Sequence, residues 1–436
     1  MAGTRAKPLP TAATVTGTTA SAQYANQMTP EEIAAQEADN RRSANALYLM
    51  KSIPKVATCY PTSGGVSQAY AAGQTLTYDF PTASGAFAKS LLITCNLTNT
   101  IAGTGAFSLN AGAPYTLIDN IQILYNGTQA RLRPYILKYL SQLRGFMNPA
   151  PSGVNAGQAD AYVTTQLNST LPVAVAANTW TFVFRLPLNA LHELSPIGML
   201  PIAGAGTKAQ VLVQCASNAL GNDPILNAVS VVGGAGNSST ISGTIKVEAI
   251  YTDGVNMWEP NPVALALKGE PTAQYIIDTP LTPIAAGIVQ RQRIQTLLQH
   301  YYVLATIVDG NQATKFATNA NILGIELDQD SVGQNKFFAF GNVSSNNVSM
   351  NDFFEAIRTQ YGQDLDEGIV PWVVAPGNNT QDPSNREGIM VLNMTPGGWS
   401  DVHHGYLLNS VGGLAGATPR VELHLVSLNP AGLLQA

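Results

Sequence analysis

A two-residue hydrophobic period recurs along most of this chain, and it limits the fold more than any other feature. In Thr75-Leu76-Thr77-Tyr78-Asp79-Phe80 the apolar residues fall on alternate positions, as on a strand with one buried face. The same rhythm returns at Thr179–Leu186, where Trp180, Phe182 and Phe184 share a face, and at Ala209–Ala216 and Ile241–Thr252. Ser90–Leu97 and Leu117–Tyr125 are more continuously apolar, and the second of these is closed by the turn pair Asn126-Gly127. The second half adds His300–Val308, Asn321–Leu327, Lys336–Phe340, Gly368–Ala375, Gly388–Asn393 and Arg420–Leu428. Thirty-nine glycines and 26 prolines supply turn chemistry between these segments.

Helical periodicity is confined to a few places. Thr29-Pro30-Glu31-Glu32 has the form of a capping box, with Thr29 as cap, Pro30 at the first helical position and Glu32 reaching back. The helix it starts is expected to run to about Met50, with weak amphipathicity because Glu37 and Asn40 interrupt its apolar stripe. A helix over Leu132–Phe146 and another over Met350–Tyr361, with Phe353, Phe354 and Ile357 on one face, complete the set. In each half, strands lead into one helix and strands follow it.

A chain of 436 residues exceeds what one hydrophobic core ordinarily supports. The prolines of Glu259-Pro260-Asn261-Pro262 and Gly269-Glu270-Pro271 cannot continue a central strand, so the boundary falls here. The expected fold is mainly β: two tandem eight-stranded jelly rolls, each with a mid-domain helix, plus an N-terminal helix. Residues 1–28 are read as a flexible arm, 29–55 as the N-terminal helix, 56–258 as the first roll, 259–274 as a linker and 275–436 as the second roll.

Charge bears on function. Only 11% of residues are Asp, Glu, Lys or Arg, against about 25% in an ordinary soluble domain. Yet 45% are apolar, and no apolar run reaches the roughly 18 residues that a membrane span needs. Surfaces so poor in charge suit contact with other copies of the same chain better than they suit a free monomer. The net charge of −5 offers no basic field for nucleic acid. Cys59, Cys95 and Cys215 are too few and too scattered for a disulfide framework or a zinc site, and are read as buried thiols. The N-terminus lacks the apolar core of a signal peptide.

No motif selects a catalytic centre. His403-His404 are adjacent, so on a strand they point to opposite faces and do not grip one ion. Glu326, Asp328 and Asp330 share a strand face, but Val332 and Ala339 stand where a calcium loop needs ligands, so a solvated strand edge or loop is expected. Gly204-Ala205-Gly206 and Gly233-Gly234-Ala235-Gly236 lack the Lys-Ser/Thr ending of a phosphate loop. Catalytic residues, cofactor and metal are all assigned as none. The basic residues Arg41, Arg42, Lys51 and Lys55 are the candidate contact residues, forming a foot toward anionic lipid or a neighbouring subunit. The long Gly/Ser/Asn stretch Val231–Ser242 is read as an exposed loop.

The order of elements resembles a known family. The Thr-Pro-capped helix precedes the Leu117–Tyr125 strand and the Arg131–Phe146 helix. Thr179-Trp180-Thr181-Phe182-Val183-Phe184-Arg185-Leu186-Pro187-Leu188 follows. In the second half come His300–Gly310, the helix at 350–361 and the Asp382-Pro383 turn. From residue 29 to 428 this resembles the double jelly-roll major capsid proteins of tailless, membrane-containing bacteriophages, the tectivirus group, with longer loops at 145–178 and 217–240. The resemblance implies a non-enzymatic structural protein without cofactor, made in the host cytoplasm and residing in the virion. It implies a homotrimer whose two rolls per copy make a pseudo-hexagonal capsomer that tiles an icosahedral shell around an internal membrane. It further implies contacts with penton and minor capsid proteins, and with the membrane through the N-terminal helix. The competing reading is a receptor- or carbohydrate-binding β-sandwich, as in a spike, which would cluster exposed aromatics at one end of a sheet.

Overall fold

The computed structural model describes residues 29–34, 36–37, 54–81, 86–125, 128–137, 163–165, 173–188, 200–201, 209–253, 271–278, 287–293, 299–308, 321–328, 336–343, 349–361, 369–371, 392–393, 403–408 and 420–430.

At the start of the described chain Thr29 and Glu32 form the reciprocal box read from the sequence. The Glu32 amide donates to Thr29 Oγ1 at 3.2 Å and the Thr29 amide donates to Glu32 Oε2 at 2.8 Å. These bonds hold the Glu32 carboxyl below the usual range, the backbone one contributing most. Helix α1 is described over residues 30–34 and 36–37. Its expected continuation to Met50 lies outside the described residues. Lys55, placed at the end of this helical segment by sequence, instead opens a strand.

The first half contains β1 (Lys55–Thr58), β2 (Tyr60–Pro61), β3 (Gln68–Ala69), β4 (Thr75–Asp79), β5 (Ala86–Ala102), β6 (Ala106–Leu109), β7 (Ile118–Tyr125) and β8 (Thr128–Leu132). It continues with β9 (Val163–Thr165), β10 (Ala177–Pro187), β11 (Leu200–Pro201), β12 (Ala209–Cys215), β13 (Val229–Val232) and β14 (Ser238–Asp253). One sheet runs β1-β14-β5-β10-β9, with β11 and β3 attached to β5 and β14; the other runs β2-β4-β12-β7-β8. The last strand of this half, β14, thus lies between the first, β1, and β5. That is the crossed order of a jelly roll.

The second half contains β15 (Pro271–Asp278), β16 (Gln290–Arg293), β17 (Gln299–Val308), β18 (Ile322–Asp328), β19 (Lys336–Gly341), helix α2 (Met350–Tyr361), β20 (Ile369–Pro371), β21 (Leu392–Asn393), β22 (His403–Leu408) and β23 (Arg420–Pro430). Its sheets run β15-β23-β17-β20 and β16-β22-β18-β19. Eight strands of the first half recur in the second in the same order. β15, β16, β17, β18, β19, β20, β22 and β23 take the places of β1, β4, β5, β7, β8, β10, β12 and β14. The chain is a double jelly roll.

Alternation builds the core as expected. On β12, Ala209, Val211, Val213 and Cys215 are buried while Gln210, Leu212 and Gln214 are partly exposed. On β10, Trp180, Phe182 and Phe184 stand opposite Leu97, Cys95 and Ile93 of β5. Tyr115 meets Phe182 and Phe184 edge-on, with ring centroids 5.8 and 6.1 Å apart. Tyr78 of one sheet crosses the sandwich and donates its hydroxyl to the Ile245 carbonyl of the other at 2.8 Å, so its polar end is satisfied inside the core. Residues of both rolls, among them Ile307, Leu327, Tyr406 and Val421, belong to one continuous buried cluster with these.

Several elements differ from expectation. β8 makes a hairpin with β7, Tyr125 facing Thr128, where a helix is read from Leu132 onward; the described part turns at residues 134–135 and is helical at 136–137. The linker read as 259–274 overlaps β15, which starts at Pro271. Proline is tolerated there because β15 is the edge of its sheet. Val231–Ser242, read as one loop, is strand at both ends: β13 runs to Val232 and β14 starts at Ser238. Serine and threonine are polar, but they fit the solvent face of an antiparallel sheet.

At Gly243 the β14 backbone has φ +126°, and a Cβ there would lie 2.1 Å from the Asn96 carbonyl oxygen of β5. Gly243→Ala combines that collision with a backbone conformation L-residues avoid, and is expected to cost about 3 kcal/mol. Chemical denaturation is the measurement; an unchanged midpoint would mean that the strand pair opens there at little cost.

Candidate functional surfaces

The described residues hold no assembled reactive centre. All three cysteines are buried and free. Burial, with Glu248 and Asp79 adding to it, pushes the Cys59 thiol up to about 12. Burial likewise raises Cys215 to about 11, and raises Cys95 well above its ordinary value. These thiols stay protonated at neutral pH, as buried structural cysteines do. Among the described residues no group of three or more His, Cys, Asp and Glu side chains is arranged to hold a metal ion. His403 and His404 are consecutive residues of β22.

What the fold builds instead is two buried ionic clusters, both assembled from residues far apart in sequence. The first lies within the second roll. Glu326 and Asp328, expected on a solvated edge, are fully buried. β18 is an inner strand, flanked by β22 and β19, which the acidic run alone does not reveal. Both carboxylates sit on the face opposite Ile325 and Leu327, and Arg291 of β16 serves both. Its Nη2 lies 2.5 Å from Glu326 Oε1 and its Nε donates to Asp328 Oδ2 at 2.9 Å. Gly405 stands opposite Glu326 in the register, and a Cβ there would lie 2.8 Å from Glu326 Oε1, so the missing side chain makes room for the carboxylate. Burial pushes the Asp328 carboxyl up to about 6; the Arg291 hydrogen bond opposes this and the neighbouring Glu326 adds to it.

The second cluster joins the two rolls. Arg133 follows β8 directly; it lies 2.8 Å from Asp119 Oδ1 on β7 and 2.6 Å from Glu422 Oε1 on β23. The Glu422 side chain is completely buried, and Asp119 is the most open of the three at 29% exposure. Burial works against the charge on Arg133, but Glu422 and then Asp119 outweigh it and hold the guanidinium protonated more firmly than usual. β8 runs alongside β15 at the same seam. The two rolls are therefore locked as one block by an ion triad as well as by apolar packing.

Among the described residues, apolar side chains stand exposed near one edge of the first roll. Val56 of β1, Tyr60 of β2 and Val66 are each 57% exposed. β1 and β2 are edge strands of the two sheets of the first roll, so their unpaired backbone groups face outward beside these side chains. Lys55, the candidate contact residue that falls within the described chain, is exposed at the start of β1 opposite Tyr251. Arg41, Arg42 and Lys51 lie outside the described residues. Sequence reading missed Arg133, Arg291 and Glu422. The available signal was the rarity of charge itself: a lone glutamate between Val421 and Leu423 in a sparsely charged chain is out of place on a plain solvent face.

No protein-family model and no curated protein matches the chain. Solved structures do. The major capsid protein of STIV, the Sulfolobus Turreted Icosahedral Virus, superposes with a TM-score of 0.53 at 12% identity, over 87% of this chain and 98% of that one. A chain of the PBCV-1 virus capsid gives 0.48 at 12% identity, over 86% and 94%. The major capsid protein P2 of Bacteriophage PM2 gives 0.40 at 10% identity, over 86% and 97%. The first of these likenesses covers both rolls. It agrees with the repeated strand order: the chain has the fold of a double jelly-roll viral capsid protein.

Proposed function

We propose that this chain is a major capsid protein, forming homotrimeric capsomers of pseudo-hexagonal outline that tile an icosahedral shell. The observation that carries the reading is the fusion of two rolls that share one eight-strand order into one block by the Arg133–Glu422 seam. Three such blocks present six near-equivalent towers, which solves the packing of a hexagonal lattice with a three-fold object. The low charge and the exposed edge at Val56 and Tyr60 support the same reading, because flanks that meet sister copies carry few charges. The similarity in fold to the STIV capsid protein adds to it. Such a protein resides in the virion, meets penton and minor capsid proteins at the lattice edges, and needs no cofactor.

The N-terminal segment is proposed to meet an internal membrane through Arg41, Arg42 and Lys51. Lys55 is separated from them in role, because it belongs to a sheet edge. A spike-like carbohydrate or receptor binder is the weaker reading. Among the residues whose side chains are described, Tyr60 is the exposed aromatic and Trp180 is fully buried, while Trp258, Trp372 and Trp399 lie outside the described residues.

Light scattering of the purified protein is expected to give three times the 45.9 kDa chain mass, and electron micrographs a hexagonal outline. A persistent monomer at high concentration would overturn the capsomer. Removing residues 1–53, which leaves β1 whole, is expected to preserve the trimer and abolish flotation with anionic vesicles. Equal flotation of both proteins would remove the membrane role alone.

A further inference from the structure

The buried acids of the second roll are tied to a sheet edge by a single side chain. Arg291 of β16, Gly405 of β22 and Glu326 of β18 form one cross-strand row. Glycine leaves the middle of that row without a side chain, so Arg291 passes over β22 and reaches both Glu326 and Asp328 on β18. β16 is the edge strand of its sheet and spans only Gln290–Arg293. Few ladder bonds hold it, and the Arg291 span adds a second tie. One guanidinium thus serves two carboxyls whose side chains are fully buried. With both ionised the three groups carry a negative charge in excess, which burial makes costly. The Asp328 carboxyl is also hydrogen-bonded to that of Glu326. Two carboxylates are acceptors only, so that bond exists when one of them carries a proton.

The neighbouring strands add further charged groups. His403 of β22 stands opposite Asp328, and Arg293 of β16 stands opposite His403. Lys336 of β19 stands opposite Asp328 on the other side. Helix α2 lies against β18 and β19 and carries Asp352, Glu355 and Arg358. Asp352 and Glu355 are exposed, and Asp352 accepts from the Ser349 hydroxyl at 2.8 Å. His403 is buried, and histidine is a side chain that titrates in the range of about pH 5 to 8, so it calls for its own control. The matching place in the first roll is built from amides. There β4, β12 and β7 stand for β16, β22 and β18. Asn120 Nδ2 of β7 donates to Gln214 Oε1 of β12 at 2.6 Å, and Gln122 Nε2 donates to Asn120 Oδ1 at 2.8 Å. Asp79 of β4 is only partly buried and accepts from Gln210 at 2.8 Å. The sealed part of this sheet is held by groups that do not titrate in the first roll and by acids in the second.

We propose that the Glu326–Asp328 pair, bridged to β16 by Arg291, is a proton-operated latch on the second roll. With a proton between the two carboxyls, β16, β22 and β18 stay closed over the pair. When the proton leaves, the carboxylates repel each other in a dry site, and parting of the β16 edge lets water reach them. The direction is release on passing from mildly acidic to neutral conditions, and the amide-bonded sheet of the first roll does not follow. The latch lies within one chain, so it stands apart from the capsomer reading.

The test is amide hydrogen exchange of the full-length protein at pH 5 and pH 7.5, with rates corrected for the intrinsic pH dependence of exchange. Opening of β16 and β22 is expected to rise about tenfold between the two, the factor that follows when a carboxyl is raised from 3.8 to about 6 in the closed state. β7 and β12 of the first roll are expected to stay unchanged. Asp328→Asn should remove the pH response, and His403→Gln should keep it. Gly405→Ala, which blocks the path of Arg291, should open the same strands at both pH values. Wild-type protection of β16 and β22 that does not vary with pH would overturn the latch, and so would an equal change in both rolls or a response that disappears with His403→Gln. The wild-type comparison decides the matter even where a variant fails to fold.

Discussion

Arg133→Ala is expected to lower unfolding stability by about 3–5 kcal/mol, the loss that follows when one partner of a buried ion pair is removed. Glu422 sits with its side chain fully buried at the seam, and the guanidinium 2.6 Å away supplies the opposite charge. Without it the carboxylate keeps its desolvation penalty. Either it takes up a proton or the rolls part enough to admit water. Asp119 is partly exposed and loses far less, because solvent already screens it. The double variant Arg133→Met with Glu422→Met removes both charges and fills the seam with apolar volume, so most of the loss should return. Denaturant unfolding measures both. The single variant is also expected to separate the transition into two steps, because the triad ties two rolls that each have their own sheets. A loss below about 1 kcal/mol would show that Glu422 is not sealed from water.

The second large effect is in pH. Asp328 titrates near 6 in the folded chain, above its ordinary 3.8, because it is buried beside Glu326. A carboxyl raised by folding contributes most when both states are protonated, below about pH 4, and that contribution is lost as pH rises through 6. This position therefore makes the protein less stable at pH 7.5 than at pH 5, by about 1.4 kcal/mol. Asp328→Asn keeps an oxygen to accept from Arg291 and cannot ionise. The free-energy difference between variant and wild type is expected to shift in the variant's favour by that amount between pH 5 and pH 7.5, since other titrating groups cancel in the comparison. A difference that stays constant with pH would place the unusual titration elsewhere. Arg291→Ala should be harmful throughout that range, because both Glu326 and Asp328 lose a shared partner.

Much of the sheet framework was legible in the sequence. The Trp180-Phe182-Phe184 face, the Leu76-Tyr78-Phe80 face and the Met350–Tyr361 helix stand where the two- and 3.6-residue periods put them. Short edge strands were not legible. β1, β3, β11 and β16 carry two to four residues each, too few to show a period, and they exist because a longer neighbour offers them a ladder. β8 was hidden for another reason. Its sequence Thr-Gln-Ala-Arg-Leu has no strong strand preference, and pairing with β7 decides it.

Charge shows the same division. Scarcity of ionisable residues pointed from composition alone toward covered flanks. The place of each charge does not follow, and the acidic run at Glu326 and Asp328 reads as solvated because three carboxylates with period two look like a wet strand face.

The alternation of apolar and polar residues, the capping box and the proline-rich breaks are local, so the chain's own order determined that it forms short antiparallel strands in two successive sandwiches. Which strands become neighbours is a matter of long-range closure, and so is the meeting of Arg133 with Glu422 across almost 300 residues of chain. A carboxylate's burial depends on what the rest of the molecule lays over it, and no local pattern of side chains carries that information.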